Sequence, residues 1–322
     1  MGLFFIVLVA FLSIPAIQTS LGSYATGKIN EAYGTDIKIE KVGLQFNGDV
    51  ELKTILIKDH FGATMISVSE LNTSVLSFAK IANNELEFGD IDMYNLFFHI
   101  KTYKGEGDTS LDFFADKFDR QNPIEKTNKF LLSSGSLNIY NSSFRLTDEN
   151  KKNPKVLDLR DLDILASDFL ISGFDINTKI KQLSFKDSRG VALKNLQTEF
   201  SYTPSRMVFS DLHIETLASL VNGQLQFDYQ RKDLKSFSKK VQVSGFFKNS
   251  NLDLEEFSLL YDEFGANQKV EFSTSFSGTL ENLLFEEFNL NNSRNTSIIG
   301  NLRISKLFAS NSSLKRKTNI KK

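Results

Sequence analysis

Cysteine and tryptophan are absent from the 322 residues, proline occurs four times, histidine three times, and the formal net charge is −1. Without cysteine the chain can form neither disulfides nor thiolate metal sites. The histidines, at positions 60, 99 and 213, stand far apart, with no partner at metal-ligand spacing. The near-neutral charge balance carries no sign of nucleic-acid binding. HExxH, GxSxG, GxGxxG and P-loop signatures do not occur. Gly105-Glu106-Gly107 lacks the strand–turn–helix context of a phosphate cradle. The Asp161/Asp163 pair reads as a solvated strand face rather than an acid–base couple. Neither an enzyme nor a cofactor is supported.

Phenylalanine is abundant, with 30 copies. It is the aromatic residue that can be buried without a hydrogen-bond partner. Its first copies lie in an apolar N-terminus. No charge precedes Lys28, and Leu3, Phe4, Phe5, Ile6, Val7, Leu8, Val9, Phe11 and Leu12 begin a run that continues to Ile17. Such a run makes about 22 Å of helix. The uncharged residues up to Gly27 extend it towards the roughly 20 residues a membrane span needs. A signal peptide would carry a basic n-region, which is missing, so an uncleaved transmembrane anchor is favoured. Ile17, Leu21, Tyr24, Ala25, Ile29 and Ala32 then recur at helical spacing, and Gly34 suits a helix end. Residues 1–34 are therefore expected to form a membrane anchor and an amphipathic helix docked on the first strands.

From Asp36 onward apolar and polar residues alternate. Ile37 and Ile39 share one parity and Val42, Leu44 and Phe46 the other, which places a turn or bulge at Glu40-Lys41. Asn47-Gly48-Asp49 signals a hairpin, and Asp59 to Gly62 a turn. The same pattern recurs through Leu52, Phe98, Phe144, Phe185, Phe200, Phe227, Phe272 and Ile304. Short apolar runs between turn residues predict an all-β fold. Leu111, Phe114 and Phe118 before Pro123 predict a short helix, as does Asp253 with Glu256 three residues on. Neither is long enough for a βαβ crossover, so the sheet is expected to be antiparallel. The polar stretches 117–129, 148–155 and 231–240 read as solvated loops. No domain boundary is visible across 35–305, and 306–322 reads as a polar, basic tail or truncation end. At ~13 residues per strand, about twenty strands would stack to roughly 100 Å, beyond what an open sheet sustains without curling, closing or splitting.

Several segments resemble one family in order along the chain. They are Ser13-Ile-Pro-Ala-Ile-Gln-Thr19, Ile37 to Leu44 with Gly48-Asp-Val-Glu-Leu52, Gly107 to Phe118, Leu183 to Gly190, Leu193 to Thr198, Leu212 to Thr216, Val221 to Leu225, and Ser277 to Leu283. In these the chain is similar to the N-terminal portion of Bacteroidetes-type TamB-like proteins (translocation and assembly module), within the AsmA-like group of bridge-like lipid transfer proteins. Members are several times longer and end in a separate C-terminal domain, which nothing after Asn301 resembles.

The resemblance implies a single N-terminal helix in the inner membrane of a Gram-negative bacterium, with the bulk of the chain in the periplasm. It implies an elongated, curled antiparallel sheet forming a U-shaped apolar groove. Phospholipid acyl chains would pass along it between the membranes. A role in outer-membrane protein assembly or secretion is also implied, with an outer-membrane β-barrel of the surface-antigen type as partner. The expected groove side chains are Val42, Leu44, Phe46, Leu52, Phe98, Phe185, Phe200, Phe227 and Phe272. The competing reading is a pair of β-sandwiches burying the same side chains, an anchored scaffold or adhesion module that binds partners by strand addition.

Overall fold

The computed structural model describes residues 27–321 apart from 28–29, 45–47, 78–79, 81–84, 120–130, 231–232, 234–235, 259–267, 293–296 and 306–312. Seventeen strands dominate the described residues, so the fold is all-β. The anchor residues Leu3 to Leu12, and Phe46, lie outside them. No helix of the described residues is long and apolar enough to cross a membrane. The chain divides into two compact units, residues 1–173 with 185–188, and 174–184 with 189–322. Sequence reading saw no such boundary, because it falls in strand β9 (Asp175–Asp187) rather than in a linker.

In the first unit a helical turn at 30–33 ends on Gly34, whose φ of 63° suits a glycine. Asn30 ties that turn to the first strand: its Nδ2 donates to Ile37 O, and its Oδ1 accepts from Ile37 N, both at 2.8 Å. Strands β1 (Asp36–Leu44), β2 (Asp49–Lys58) and β3 (Thr64–Ser74) form an antiparallel meander. No turn interrupts β1 at Glu40-Lys41; the strand runs on in unbroken register with β2. The parity change is nevertheless present, and the left-handed Thr54 (φ 52°) sits opposite it on β2.

Three short strands, β4 (Glu85–Phe88), β5 (Ile91–Tyr94) and β6 (Phe97–Thr102), lie end to end along the 18-residue β7 (Leu131–Asp148). They run parallel to β7, while β5 and β6 run antiparallel to β3. This corrects the expectation of a purely antiparallel sheet. The connection from β6 to β7 is long enough for a crossover and contains helix α1 (Ser110–Asp119). Thr109 starts that helix: its Oγ1 accepts from Asp112 N, while Asp112 Oδ2 accepts from Thr109 N. Strand β8 (Lys155–Ser172) pairs antiparallel with β7. The core of this unit lies on one face, where Ile66, Leu71, Met93, Ile139 and Phe114 of α1 are almost completely buried. Each such side chain contributes about 1.5–3 kcal/mol.

The second unit is an antiparallel meander. Strands β10 (Ala192–Thr203), β11 (Arg206–Thr216), β12 (Leu220–Asp228), β13 (Gln242–Asp253), β14 (Lys269–Thr279), β15 (Asn282–Asn292), β16 (Ser297–Ser305) and β17 (Ser313–Lys321) each pair with the next. Strand β17 stands where the sequence suggested a tail. Its alternation is hidden by Lys and Arg, residues common on sheet edges. Helix α2 (Phe237–Lys240) lies in a stretch expected to be a loop, and α3 (Leu254–Ser258) follows β13. Asp253 Oδ1 accepts from Glu255 N at the start of α3. Glu256 does not close a capping box. Its carboxylate instead accepts from Thr216 Oγ1, Ala218 N and Ser219 Oγ, clamping the β11–β12 turn.

Candidate functional site: the apolar face of the second unit

Residues paired directly across antiparallel strands project from the same face of a sheet. In the second unit the register therefore defines continuous rows. One runs Phe200, Phe209, Leu225, Gly245, Phe276, Phe285, Leu302 from β10 to β16. A second runs Tyr202, Met207, Phe227, Val243, Gly278, Leu283, Ile304. Further along the strands, Leu196 pairs with Ile214 and Ile214 with Val221, and a row of Ser250, Phe272, Leu290 and Ile298 follows. None of these positions carries a carboxylate, an ammonium or a guanidinium group.

The rings form a ladder across the strands. Phe200 and Phe209 have centroids 5.0 Å apart, Phe209 and Phe227 6.2 Å, and Phe247 and Phe276 4.9 Å. Such separations suit tilted and edge-to-face contacts. Gly245 sits beside Phe276, whose Cζ would lie 3.0 Å from an added Cβ. A small buried cluster, Val243, Phe276 and Leu283, packs with Leu225, Phe227, Phe247, Leu280 and Phe285. Helix α2 covers this end through Phe237, 5.6 Å from Phe227. Phe200, Phe227, Phe247, Phe272, Phe285 and Leu290 are half-buried.

The opposite face is mainly polar, though Val208, Phe246, Leu284 and Ile299 interrupt it. His213 hydrogen-bonds Asn222 Oδ1 at 2.7 Å, and Arg206 pairs with Asp228 at 2.7 Å. Burial alone would raise the Asp228 pKa, but hydrogen bonds from Gln226 and Arg206 outweigh it and hold the carboxyl below its ordinary range.

The expected groove residues are thus split between two settings. Phe200, Phe227 and Phe272 share the half-buried apolar face of the second unit. Val42, Leu52 and Phe98 belong to the first unit, where Val42 pairs with Leu52. Leu52 and Phe98 are 2% and 3% exposed and sit in its core. Leu44 ends β1, opposite Val50. Phe185 is half-buried near the end of β9 and falls in the first unit. Sequence reasoning missed Phe209, Phe247, Phe276 and Phe285 as site residues. Their parity could be assigned only with the bulges in hand. Among the described residues, no group of three or more His, Asp or Glu side chains could hold a metal ion. No family model matches the chain, and no curated protein is detectably similar to it.

Proposed function

We propose that this is a membrane-anchored periplasmic β-groove protein whose apolar sheet face holds phospholipid acyl chains in transit between the inner and outer membranes. One observation carries the reading: a charge-free apolar face, continuous in register from β10 to β16, with half-buried rings along it. Seven strands spaced ~4.8 Å apart span about 29 Å, close to the ~30 Å hydrocarbon core of a bilayer. That length accommodates acyl chains end to end, and each buried CH₂ contributes ~0.8 kcal/mol. Apolar patches beyond a few hundred Å² mark interaction surfaces. Phenylalanine suits such an occupant because it asks for no hydrogen bond.

The test is photocrosslinking in cells. A benzophenone side chain at Phe247, Phe272 or Phe285 should yield phospholipid adducts by mass spectrometry, and one at Ser275 or Glu271 on the other face should not. Protein adducts alone, or equal lipid capture from both faces, would remove the lipid reading and favour a protein-binding scaffold.

A further inference from the structure

Asp211, Asn249 and Glu287 hold left-handed backbone angles, with φ of 48°, 46° and 50°. They lie at intervals of 38 residues, on every second strand: β11, β13 and β15. Each is an extra residue. The register slips by one on both sides of each of these strands, between Gln197/Glu199 and Phe209/Leu212, between Leu220/Gly223 and Phe247/Ser250, and between Ser273/Ser275 and Phe285/Phe288. Strands β12, β14 and β16 carry no left-handed non-glycine residue.

The bulges line up across the sheet, and polar side chains on neighbouring strands satisfy the backbone groups they free. Thr198 Oγ1 donates to Ser210 O at 2.6 Å, and Thr274 Oγ1 to Glu286 O at 3.0 Å. Asn249 N donates to Ser273 Oγ at 3.2 Å, and Glu287 N to Asn301 Oδ1 at 3.3 Å. Thr198, Ser250 and Thr274 along this line are buried.

Removing the extra residue would restore plain alternation, since Phe209-Ser210-Leu212-His213-Ile214 keeps Phe209, Leu212 and Ile214 on one face. The bulges are therefore not needed to keep the apolar side chains together. Each left-handed non-glycine residue costs about 1–2 kcal/mol, and a bulge bends and twists its strand. We propose that Asp211, Asn249 and Glu287 are positioning residues: their row is a crease that curves the apolar face into a trough around the acyl chain. This rests on the lipid reading above and adds that curvature, beyond apolarity, makes the site.

The experiment deletes Asp211, Asn249 and Glu287 together from the full chain. The variant should fold, with a melting temperature equal to or above the parent's. Because the chain lacks native cysteine, cysteine pairs at 209/225 and 214/221 (parental numbering) should still oxidise to disulfides and so report retained pairing. Lipid capture by the benzophenone at Phe272 should drop to the level of the Ser275 control. Undiminished capture in the folded variant would overturn the inference. A parent that captures no lipid would instead overturn the lipid reading. If the triple deletion fails to fold, the single deletions are compared. Loss of folding in each of them would make the bulges structural necessities and would also overturn the inference.

Discussion

Thr198 and Thr274 occupy equivalent places 76 residues apart, each donating its hydroxyl to a backbone carbonyl twelve residues downstream on the next strand. Both are buried, and both carbonyls precede a left-handed residue. Thr274→Val, which keeps the shape and removes the donor, should lower stability by about 1–3 kcal/mol in chemical denaturation. Thr274→Ser should recover most of the loss. Equal losses from Val and Ser would mean that the methyl packing matters and the hydrogen bond does not.

Gly223 lies on the same line. A Cβ there would meet Phe246 O at 1.9 Å, a backbone atom that cannot swing aside. Gly223→Ala should cost about 1–3 kcal/mol or more. Gly107→Ala, with open space around it, should be close to neutral. Thermal melts of the two variants side by side check the contrast.

Asp59 organises the β2–β3 turn in the first unit. Its Oδ1 accepts from Phe61 N and Ala63 N at 2.9 Å, and its Oδ2 from the Tyr103 hydroxyl at 2.6 Å. Burial, then the hydrogen-bonded carboxylate, push the Tyr103 phenol well above its ordinary pKa of 10.0. The folded state therefore prefers the neutral phenol, and the stability this gives is present below pH ~10 and lost as pH rises further. A spectrophotometric titration should show that Tyr103 ionises well above its ordinary pKa of 10.0. Asp59→Asn should bring it down.

His99 carries a pH dependence of its own. Burial, then the positive charges of Arg145 and Lys101, lower its pKa from the ordinary 6.5, while Asp59 and Asp158 oppose the shift. Its ring hydrogen-bonds Thr147 Oγ1 at 2.9 Å. The unfolded chain takes up a proton before the folded one, so stability should fall as pH drops below ~6.5 towards the lowered folded value. His99→Gln should flatten the melting-temperature profile in that window; an unchanged profile would remove His99 as its source.

Aspartate substitutions separate the two settings of the apolar residues. Leu52→Asp places a charge in the core and should unfold the first unit. Phe272→Asp, on the half-buried face, should leave a cooperative melt while abolishing lipid capture at Phe247. Circular dichroism and photocrosslinking on the same preparations give both readouts.

The alternation made most strands legible, including Phe200/Tyr202, Met207/Phe209, Leu212/Ile214 and Leu225/Phe227. It also contained the bulges, as places where the apolar spacing is three instead of two: Phe209 to Leu212, Phe285 to Phe288. Read without partners, such a step cannot be told from a turn. The 18-residue β7 carries a register shift of this kind around Asn141, which is left-handed (φ 50°) and whose N–H donates to Asp163 Oδ1 at 2.7 Å. Leu52 and Phe200 look alike in sequence. Only the packing around them separates a core residue from one on a half-buried face.

The parallel pairing of β4, β5 and β6 with β7 holds a constant separation of 46 residues, as in Phe97 with Ser143. Every β10–β17 pairing instead joins neighbours in sequence. Closing a 46-residue loop costs about 2 kcal/mol more than closing a four-residue turn, and it is incurred before any contact in that joint forms. During synthesis β4–β6 leave the ribosome with one side unpaired and wait for β7, whereas the later hairpins can add to their predecessor one at a time. The first unit is therefore expected to limit the folding rate, and it is the stage at which an exposed strand edge is most open to mispairing.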